Sequence, residues 1–436
     1  MFSYYLKLGL RSLRRNPVLT ALMVLTLAVG VATSMSTLTV MRAMSGDPIP
    51  GKSDRLFVVQ VDNTPADEGE ENDEPQPHVS WLDARELLES ANGLRQSAMY
   101  AVGGVAEAGD EHGNLLIGGM AVGGDFFAMF DVPFKHGSSW SAESDARGAA
   151  EAVLSSEFAQ RLFGNTDPTG QRLRMFDREY LITGVLAPWR PLPKFYWLVG
   201  GSNRFRETDE VFIPLRSAIA NESGPNGRVN CSGDGPEPGY TGLLNSECVF
   251  MQYWVELASA AERAAYREKL GGHIEAQKAL GRLPLGERSR LLDVREWMDD
   301  QDVLGDDTIL QTLLAAGFLL VCVVNTVGLL LAKFTANSGE IGVRRALGAT
   351  RRQIFQQYLV QAAVVGIAGG VIGLGLTFGG LWLLARQSAE VAAVAHMSPM
   401  MLLATVGTAI GAAVLAGLLP TWRACQVVPA IQLKTQ

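Results

Sequence analysis

Four long runs of apolar residues divide the chain. They contain no charged side chain and cover Val18–Met41, Thr308–Ala332, Gln353–Ala385 and Met397–Trp422. About 20 apolar residues, rising about 1.5 Å each, cross a hydrocarbon layer of roughly 30 Å. The pattern therefore predicts a membrane protein with four transmembrane helices. The first run is too long for the apolar region of a cleavable signal peptide, so we expect it to remain as a span.

Basic residues next to the apolar runs indicate the orientation, because Lys and Arg near the ends of spans are retained in the cytoplasm. They precede the first run, separate the second from the third, and follow the fourth: Lys7, Arg11, Arg14 and Arg15; Lys333, Arg344, Arg345, Arg351 and Arg352; Arg423 and Lys434. All three flanks then lie on one side. Both termini are predicted to be cytoplasmic, and Met44–Asp307 is predicted to be exported across a bacterial inner membrane.

These two patterns together predict the organisation of the whole chain. The predicted parts are a cytoplasmic amphipathic helix (1–17), a first span (18–43), a periplasmic domain (44–306), a second span (307–333), a cytoplasmic loop (334–353), a third span (354–385), a short periplasmic loop (386–397), a fourth span (398–420) and a cytoplasmic tail (421–436).

The stretch between the first two spans mixes two periodicities. Runs of β-branched and aromatic residues predict strands at Leu56–Val61, Arg172–Met175, Tyr180–Leu186 and Phe250–Leu257. Helical spacing with serine caps predicts helices within Ser80–Glu89, from Ser155 or Ser156 to Gly164, and over Ala260–Ala279. The stretch is long enough for its own core. It is therefore predicted to be a large α+β domain.

One part of this domain, about residues 188–247, is rich in Gly, Pro, Asn and Ser and has little periodicity. We expect an irregular subdomain there. Its aromatic residues, Trp189, Phe195, Tyr196 and Trp197, fit either a small core or an exposed contact surface, with the core favoured. The subdomain contains Cys231, with Cys248 at its edge, and the two are candidates for a disulfide in an oxidising compartment.

Charge is divided unequally along the chain. Met44–Asp307 holds 43 Asp and Glu against 24 Lys and Arg, whereas the net charge of the whole chain is only −8. Much of the excess lies in the acidic run Ala66–Glu74, which is more typical of a solvated loop than of a cation site.

Motifs for catalysis or metal binding are missing from the sequence. The five histidines are scattered, and neither H-E-x-x-H nor G-x-S-x-G occurs. The stretch Gly46–Ser53, GDPIPGKS, has phosphate-loop spacing, but Pro48 and Pro50 lack the N–H groups that cradle phosphates, and a predicted strand follows instead of a helix. We therefore expect no catalytic residue, no metal and no cofactor in this chain.

The loop Ser338–Phe355, SGEIGVRRALGATRRQIF, carries the most information. The pattern predicts a short helix that stops at Gly348 and a second helix capped by Thr350. Its arginines cannot enter lipid and must face water, lipid phosphate or a protein.

The loop resembles a motif of the MacB/FtsX family, the type VII ABC transporter permeases. The matching residues are Glu340, Ile341, Gly342, Arg344, Arg345, Ala346, Gly348 and Ala349, and further matches are Val153–Gly170, Ile182–Leu186 and Pro420–Ile431.

The resemblance implies a permease subunit that works by transmitting motion. A separate ATPase would bind ATP and dock on Glu340, Ile341, Gly342, Arg344, Arg345, Gly348, Arg351 and Arg352. Residues 1–17 leave room only for a short amphipathic helix, so no fused ATPase domain is expected. The spans contain almost no ionisable residue, which also favours transmission over conduction. Glycines of the third span, including Gly366, Gly370 and Gly373, have spacings suited to close helix packing, within one subunit or across a dimer.

Three functions remain open from the sequence. The first is an ABC permease that drives export or extraction of a peptide, amphiphile or lipoprotein, working as a homodimer or heterodimer with lipids around it and with a periplasmic adaptor and outer-membrane channel as further partners. The second is a regulatory protein that uses the same motion to activate a periplasmic hydrolase or to signal to a sensor. The third, a membrane-anchored enzyme, is disfavoured because no site is visible. No nucleic-acid partner is expected.

Overall fold

A computed structural model describes residues 16–65, 75–90, 93–107, 113–198, 209–231, 235–336, 339, 342–344, 347–387 and 399–425. The chain forms two compact units. One unit, the helical unit, comprises residues 1–46 and 304–436; the other, the α+β domain, comprises Asp47–Val303.

Helices and strands alternate along the α+β domain, and long helices lie on either side of it in the sequence. The helices are α1 (Pro17–Met44), α2 (Trp81–Ser90), α3 (Phe126–Met129), α4 (Ala142–Ala146), α5 (Ser156–Phe163), α6 (Leu215–Ala220), α7 (Tyr240–Leu244), α8 (Ala260–Ala279), α9 (Val294–Asp300), α10 (Asp306–Ala336), α11 (Arg351–Gln387) and α12 (Pro399–Cys425). The strands are β1 (Leu56–Gln60), β2 (Val79–Ser80), β3 (Arg95–Glu107), β4 (Asn114–Val122), β5 (Phe134–Gly137), β6 (Glu151–Leu154), β7 (Arg172–Met175), β8 (Arg178–Leu186), β9 (Val211–Pro214), β10 (Val249–Glu256) and β11 (Arg290–Asp293).

The helical unit contains the four predicted spans. Within the described residues, α1, α10, α11 and α12 are long and apolar enough to cross a membrane, which confirms that prediction. The four helices pack on one another, and α11 contacts both α1 and α12. Their shared core includes Leu27, Leu330, Val365 and Ala413. Because the outward-facing side chains of these helices are also apolar, the unit suits a lipid environment.

The α+β domain is built on an eleven-stranded mixed sheet. The order along the sheet is β11-β1-β10-β3-β4-β9-β6-β8-β5; β2 pairs with β10, and β7 pairs with β3 and β8. The pairs β4–β9 and β6–β8 are parallel, and the other described pairs are antiparallel. The predicted α+β fold class is thus confirmed.

Several local predictions hold at the level of single residues. Ser155 caps α5 by accepting a hydrogen bond from the backbone N–H of Phe158, and Gly164 ends the helix with φ of 60°. Only glycine adopts that left-handed conformation without strain. Helix α8 covers the predicted range, and β7 pairs with β8 as the predicted hairpin.

The expectation of an irregular subdomain at 188–247 is wrong in its middle. Strand β9 lies inside the sheet between β4 and β6, and α6 follows it directly. The burial of every residue in β9 explains why no alternating pattern marks it. The aromatic side chains of the segment form core: Phe195, Tyr196 and Trp197 are buried, and Trp189 stacks on Tyr196 with ring centroids 5.2 Å apart.

Candidate functional site

The loop between α10 and α11 is the candidate site. Among its predicted contact residues, Gly342, Arg344, Gly348, Arg351 and Arg352 lie in the described part of the chain. The other predicted contact residues, Glu340, Ile341 and Arg345, lie outside the described residues.

Two backbone features give the loop its shape. The N–H of Leu347 donates to the carbonyl oxygen of Val343 at 3.0 Å, and the N–H of Ala349 donates to that of Arg344 at 3.1 Å, which closes a helical turn. Gly348 then reverses the chain with φ of 97°, a conformation that favours glycine. The predicted stop at this residue therefore has its physical cause in the backbone.

Thr350 begins α11 through a reciprocal cap. The N–H of Thr350 donates to Oε1 of Gln353 at 2.9 Å, and the N–H of Gln353 donates to Oγ1 of Thr350 at 3.3 Å. This is a capping box, which satisfies two N–H groups that the first turn leaves without helical partners. The loop is consequently joined to α11 without a flexible linker.

The base of the loop is packed into the helical core. Nη1 of Arg344 donates to Oε1 of Gln357 at 2.9 Å, which ties the turn to the second turn of α11. The rings of Phe334 and Tyr358 lie 4.2 Å apart between centroids and join the end of α10 to α11. Ile354 is buried in the same cluster. The base of the loop is therefore held against both the end of α10 and the first turns of α11.

The outer side of the loop is apolar as well as basic. Val343 and Leu347, one helical turn apart, are 52% and 83% exposed, and Arg351 and Arg352 are also exposed. We call these four residues the loop surface. Sequence reasoning singled out the arginines but missed Val343 and Leu347. The missed signal is an i, i+4 apolar pair within an otherwise basic loop.

The glycines of α11 pack on two different helices of the same chain. A Cβ added at Gly366 would lie 2.6 Å from Cβ of Ala413 on α12, and one at Gly370 would lie 2.9 Å from Cβ of Ala409. A Cβ at Gly373 would instead lie 3.0 Å from the carbonyl oxygen of Ala28 on α1. These contacts lie within one subunit, and through them α11 packs closely on both α12 and α1.

Cys231 and Cys248 are joined by a disulfide in the α+β domain, with a sequence separation of 17 and Cα atoms 4.2 Å apart. The bridge connects the segment that follows α6 to the start of β10. The backbone of Asn230 also pairs with Val249 beside it. The disulfide therefore fixes the end of this segment to the sheet.

The amine of Lys52, the lysine of the phosphate-loop pattern, is bound by other groups of the same chain. Its Nζ donates to the carbonyl oxygens of Ala128 and Met129 at 3.0 and 3.2 Å and pairs with Asp131 at 2.7 Å. Strand β1 follows, as predicted. The amine closes a helix C-terminus, where cations are favoured, instead of facing an open cradle. Among the described residues, no group of three or more His, Cys, Asp or Glu side chains could hold a metal ion.

Comparison with known families gives two matches that cover most of the chain. Residues 20–272 match the MacB-like periplasmic core domain, and residues 312–429 match the FtsX-like permease C-terminal domain. The second match includes the loop surface and all three packing glycines.

Curated relatives agree with these matches. The chain is 23% identical over 431 residues to the macrolide export ATP-binding/permease protein MacB of Azoarcus sp. (strain BH72), covering 98% of this chain and 59% of the relative. It is 24% identical over 341 residues to the pyoverdine export ATP-binding/permease protein PvdT of Pseudomonas fluorescens (strain Pf0-1), covering 76% and 45%. The chain thus spans about half the length of these relatives.

Among solved structures, the periplasmic region of MacB from Actinobacillus actinomycetemcomitans aligns at 13% identity and a TM-score of 0.37, covering 61% of this chain and 95% of that one.

Proposed function

Because this chain belongs to the family of ABC transporter permeases with MacB-like periplasmic and FtsX-like domains, we propose that it is a non-catalytic permease subunit that transmits the motion of an ATPase. The ATPase binds and hydrolyses ATP as a separate partner. The α+β domain receives the motion and drives export or extraction of a peptide, amphiphile or lipoprotein.

The loop surface is the single observation that carries this proposal. Exposed Leu347 and Val343 offer apolar area, and the neighbouring arginines offer charge, which is the composition of a protein interface better than that of a lipid-facing or water-facing turn. The base of the same loop is packed between α10 and α11. A partner that moves the loop surface would therefore move both helices. Of these, α10 follows the α+β domain directly in the chain, and α11 packs on α1 and α12.

The proposed setting follows from the same reasoning. The protein lies in the bacterial inner membrane with both termini and the loop in the cytoplasm and the α+β domain in the periplasm, because the basic flanks favour that orientation. Its partners are the ATPase, a second permease subunit, surrounding lipids, and a periplasmic adaptor with an outer-membrane channel. The names of the relatives, which include macrolide and pyoverdine export, support an export role.

The test is the interface itself. The full chain and its Leu347→Asp variant are purified from the native host in mild detergent, and the co-purified proteins and their ATPase activity are measured. We expect an ATPase with the unsubstituted chain and a loss of about tenfold or more with the variant, which corresponds to about 1.4 kcal/mol of binding free energy. Leu280→Asp is the matched control, since Leu280 is 74% exposed but lies in the α+β domain.

The co-purified proteins also separate the two functions. An adaptor or an outer-membrane channel beside the ATPase supports export. A cell-wall hydrolase or a sensor kinase in their place would favour the regulatory alternative. Recovery of no ATPase at all, or equal recovery with Leu347→Asp, would refute the proposed docking at the loop surface.

A further inference from the structure

A cleft of about 640 Å³ opens in the α+β domain. Its floor is the end of the β3–β4 pair, at Gln96 and Gly123–Asp125. Helix α2 forms one wall and packs on β10 and β3. Helices α4 and α6 form the other wall, and α6 packs on β9 and β4. The cleft thus lies between the two walls at the end of the β3–β4 pair, and it has the volume typical of a small-molecule site.

Apolar side chains from both walls face the cleft. Trp81 and Leu88 come from α2, and Ile219 comes from α6; all three are only partly buried. Below them, Trp140 and Leu215 are buried and support the surface. The cleft therefore offers apolar area that an elongated ligand can cover from two sides.

Two carboxylates of the cleft are already used by the protein. Oδ1 of Asp145 accepts from Nε1 of Trp140 at 3.0 Å, and Oδ2 accepts from the N–H of Gly124 at 3.3 Å. Asp125 accepts from the N–H of Gln96 at 3.0 Å. Burial raises the pKa of Asp145 above its usual range, and the hydrogen bonds from Gly124 and Trp140, with a smaller contribution from the charge of Arg216, partly offset this effect. Asp145 is therefore engaged through both oxygens, whereas Asp125 is exposed and keeps its negative charge at the floor of the cleft.

The guanidinium groups at the rim of the cleft form fewer hydrogen bonds within the protein than Asp145 does. Arg85 on α2 and Arg216 on α6 are exposed on opposite walls, and neither forms a hydrogen bond or an ion pair with another described residue. Arg147 is also at the rim and donates from Nε to the carbonyl oxygen of Glu143 at 3.3 Å. The remaining acidic group is the exposed Glu89. The cleft thus carries three arginines and three carboxylates, and Arg85 and Arg216 are the exposed guanidinium groups that no described residue engages in a hydrogen bond or an ion pair.

We propose that this cleft binds a small amphiphile with a carboxylate group, its apolar body between Trp81, Leu88 and Ile219 and its carboxylate between Arg85 and Arg216. A guanidinium presents parallel N–H donors that match the two oxygens of a carboxylate, which gives both orientation and charge complementarity. A ligand held in this way would join the two walls of the cleft. The proposal concerns binding alone and does not rest on docking at the loop surface.

The test uses the full chain in phosphatidylcholine nanodiscs and three probes of similar shape. 4-Phenylbutyrate is compared by isothermal titration calorimetry with 4-phenylbutanamide, which is uncharged, and with 4-phenylbutylamine, which is cationic; titration into empty nanodiscs corrects for partition into lipid. We expect the carboxylate to bind at least about tenfold more tightly than the other two. The double variant Arg85→Gln with Arg216→Gln should lose about tenfold or more in affinity for the carboxylate and little for the amide.

Two further variants separate recognition from folding. Trp81→Ala should weaken the carboxylate and the amide alike, because it removes apolar contact. Arg172→Gln, an exposed arginine on β7 away from the cleft, should change neither affinity. The proposal would be overturned if 4-phenylbutyrate binds no better than it does to empty nanodiscs, if the amine binds most tightly, or if the double arginine variant keeps full affinity with an unchanged melting temperature.

Discussion

Arg344 donates a hydrogen bond from Nη1 to Oε1 of Gln357 at 2.9 Å, and this contact joins the turn that carries Val343 and Leu347 to α11. Hydrogen bonds from a charged donor are among the stronger ones in proteins. The contact gives the arginine a structural task in addition to any contact with a partner. The two tasks can be separated by substitution.

The first prediction concerns the coupling between loop and helix. Arg344→Glu and Glu340→Lys should abolish the stimulation of the partner ATPase by substrate, while the protein still inserts and folds. Gln357→Ala keeps every charge on the loop but removes the acceptor, so it should reduce coupling in part. The measurement is ATPase activity of the reconstituted complex with and without substrate. Normal coupling in both charge-reversal variants would remove the docking role.

The second prediction concerns the packing of α11. Gly366→Leu should destabilise the helical unit by about 1–3 kcal/mol, because even a Cβ at this position would lie 2.6 Å from Cβ of Ala413. Gly375→Ala is the matched control, because among the described residues no atom beyond its chain neighbours and its own helix backbone lies within 4 Å of the added Cβ. That variant should be unchanged or more stable by up to about 1 kcal/mol, since alanine favours helix. Apparent melting temperatures of the full chain in detergent measure both, and equal values for the two variants would contradict the packing.

The third prediction concerns the disulfide. Cys231→Ser with Cys248→Ser should lower the free energy of unfolding of the α+β domain by about 3 kcal/mol, because a bridge across 17 positions restricts the unfolded chain. Tryptophan fluorescence during denaturation of the full chain measures this. Cys322→Ser is the control for loss of a thiol, since Cys322 lies in α10. Reductant should destabilise the unsubstituted protein and leave the double variant unchanged; a response of both would point to another cause.

The fourth prediction concerns acid stability and His78. The ring is buried against Trp197, with centroids 5.4 Å apart, and neither ring nitrogen has a hydrogen-bond partner among the described residues. Burial, with a smaller contribution from the charge of Arg228, lowers the pKa of His78 to about 4. Between pH 6.5 and 4 the unfolded chain binds a proton that the folded chain does not, so stability falls as the pH falls through this range.

The expected size is about 2 kcal/mol lost between pH 7 and pH 5, at 1.36 kcal/mol for each pH unit below the unfolded pKa. His78→Leu should remove this contribution. Denaturation of both proteins at several pH values measures this contribution. The slope of the free energy of unfolding against pH is compared between the two proteins, so the acid response of the titratable groups that both contain cancels. Equal slopes for the two proteins would show that His78 is not neutral and buried as described.

How far the sequence alone predicted the structure depends on the kind of residue. Gly164, Gly348 and Thr350 end or begin helices as predicted, and Ser155 is the one of the two predicted caps, Ser155 or Ser156, that the structure uses. These predictions succeed because caps and left-handed turns depend on one side chain and its immediate backbone. The hairpin of β3 and β4 was not predicted, since its many glycines resemble a loop. Strand β9 was missed because a strand buried on both faces shows no alternation.

The candidate site shows the same division. The arginines of the loop were identifiable because charge next to an apolar run is unusual and physically constrained. The role of Leu347 was not, because only the folded turn shows that an apolar side chain in a basic loop remains 83% exposed. Likewise the glycine spacing predicted close helix packing, but which helix each glycine faces depends on how the helices are arranged.

The sequence by itself determined the features that follow from local chemistry: four spans from four uncharged apolar runs, their orientation preference from flanking charge, and the boundaries of helices from caps and breakers. Tertiary structure alone decided the features that require distant residues to meet. These are the insertion of β9 into the sheet, the hydrogen bonds of Lys52 at the C-terminus of α3, the packing of Gly366 on α12 but of Gly373 on α1, and the cleft between α2 and α6. The physical reason is that packing is set by which surfaces remain uncovered once all elements are formed, and no local pattern records that outcome.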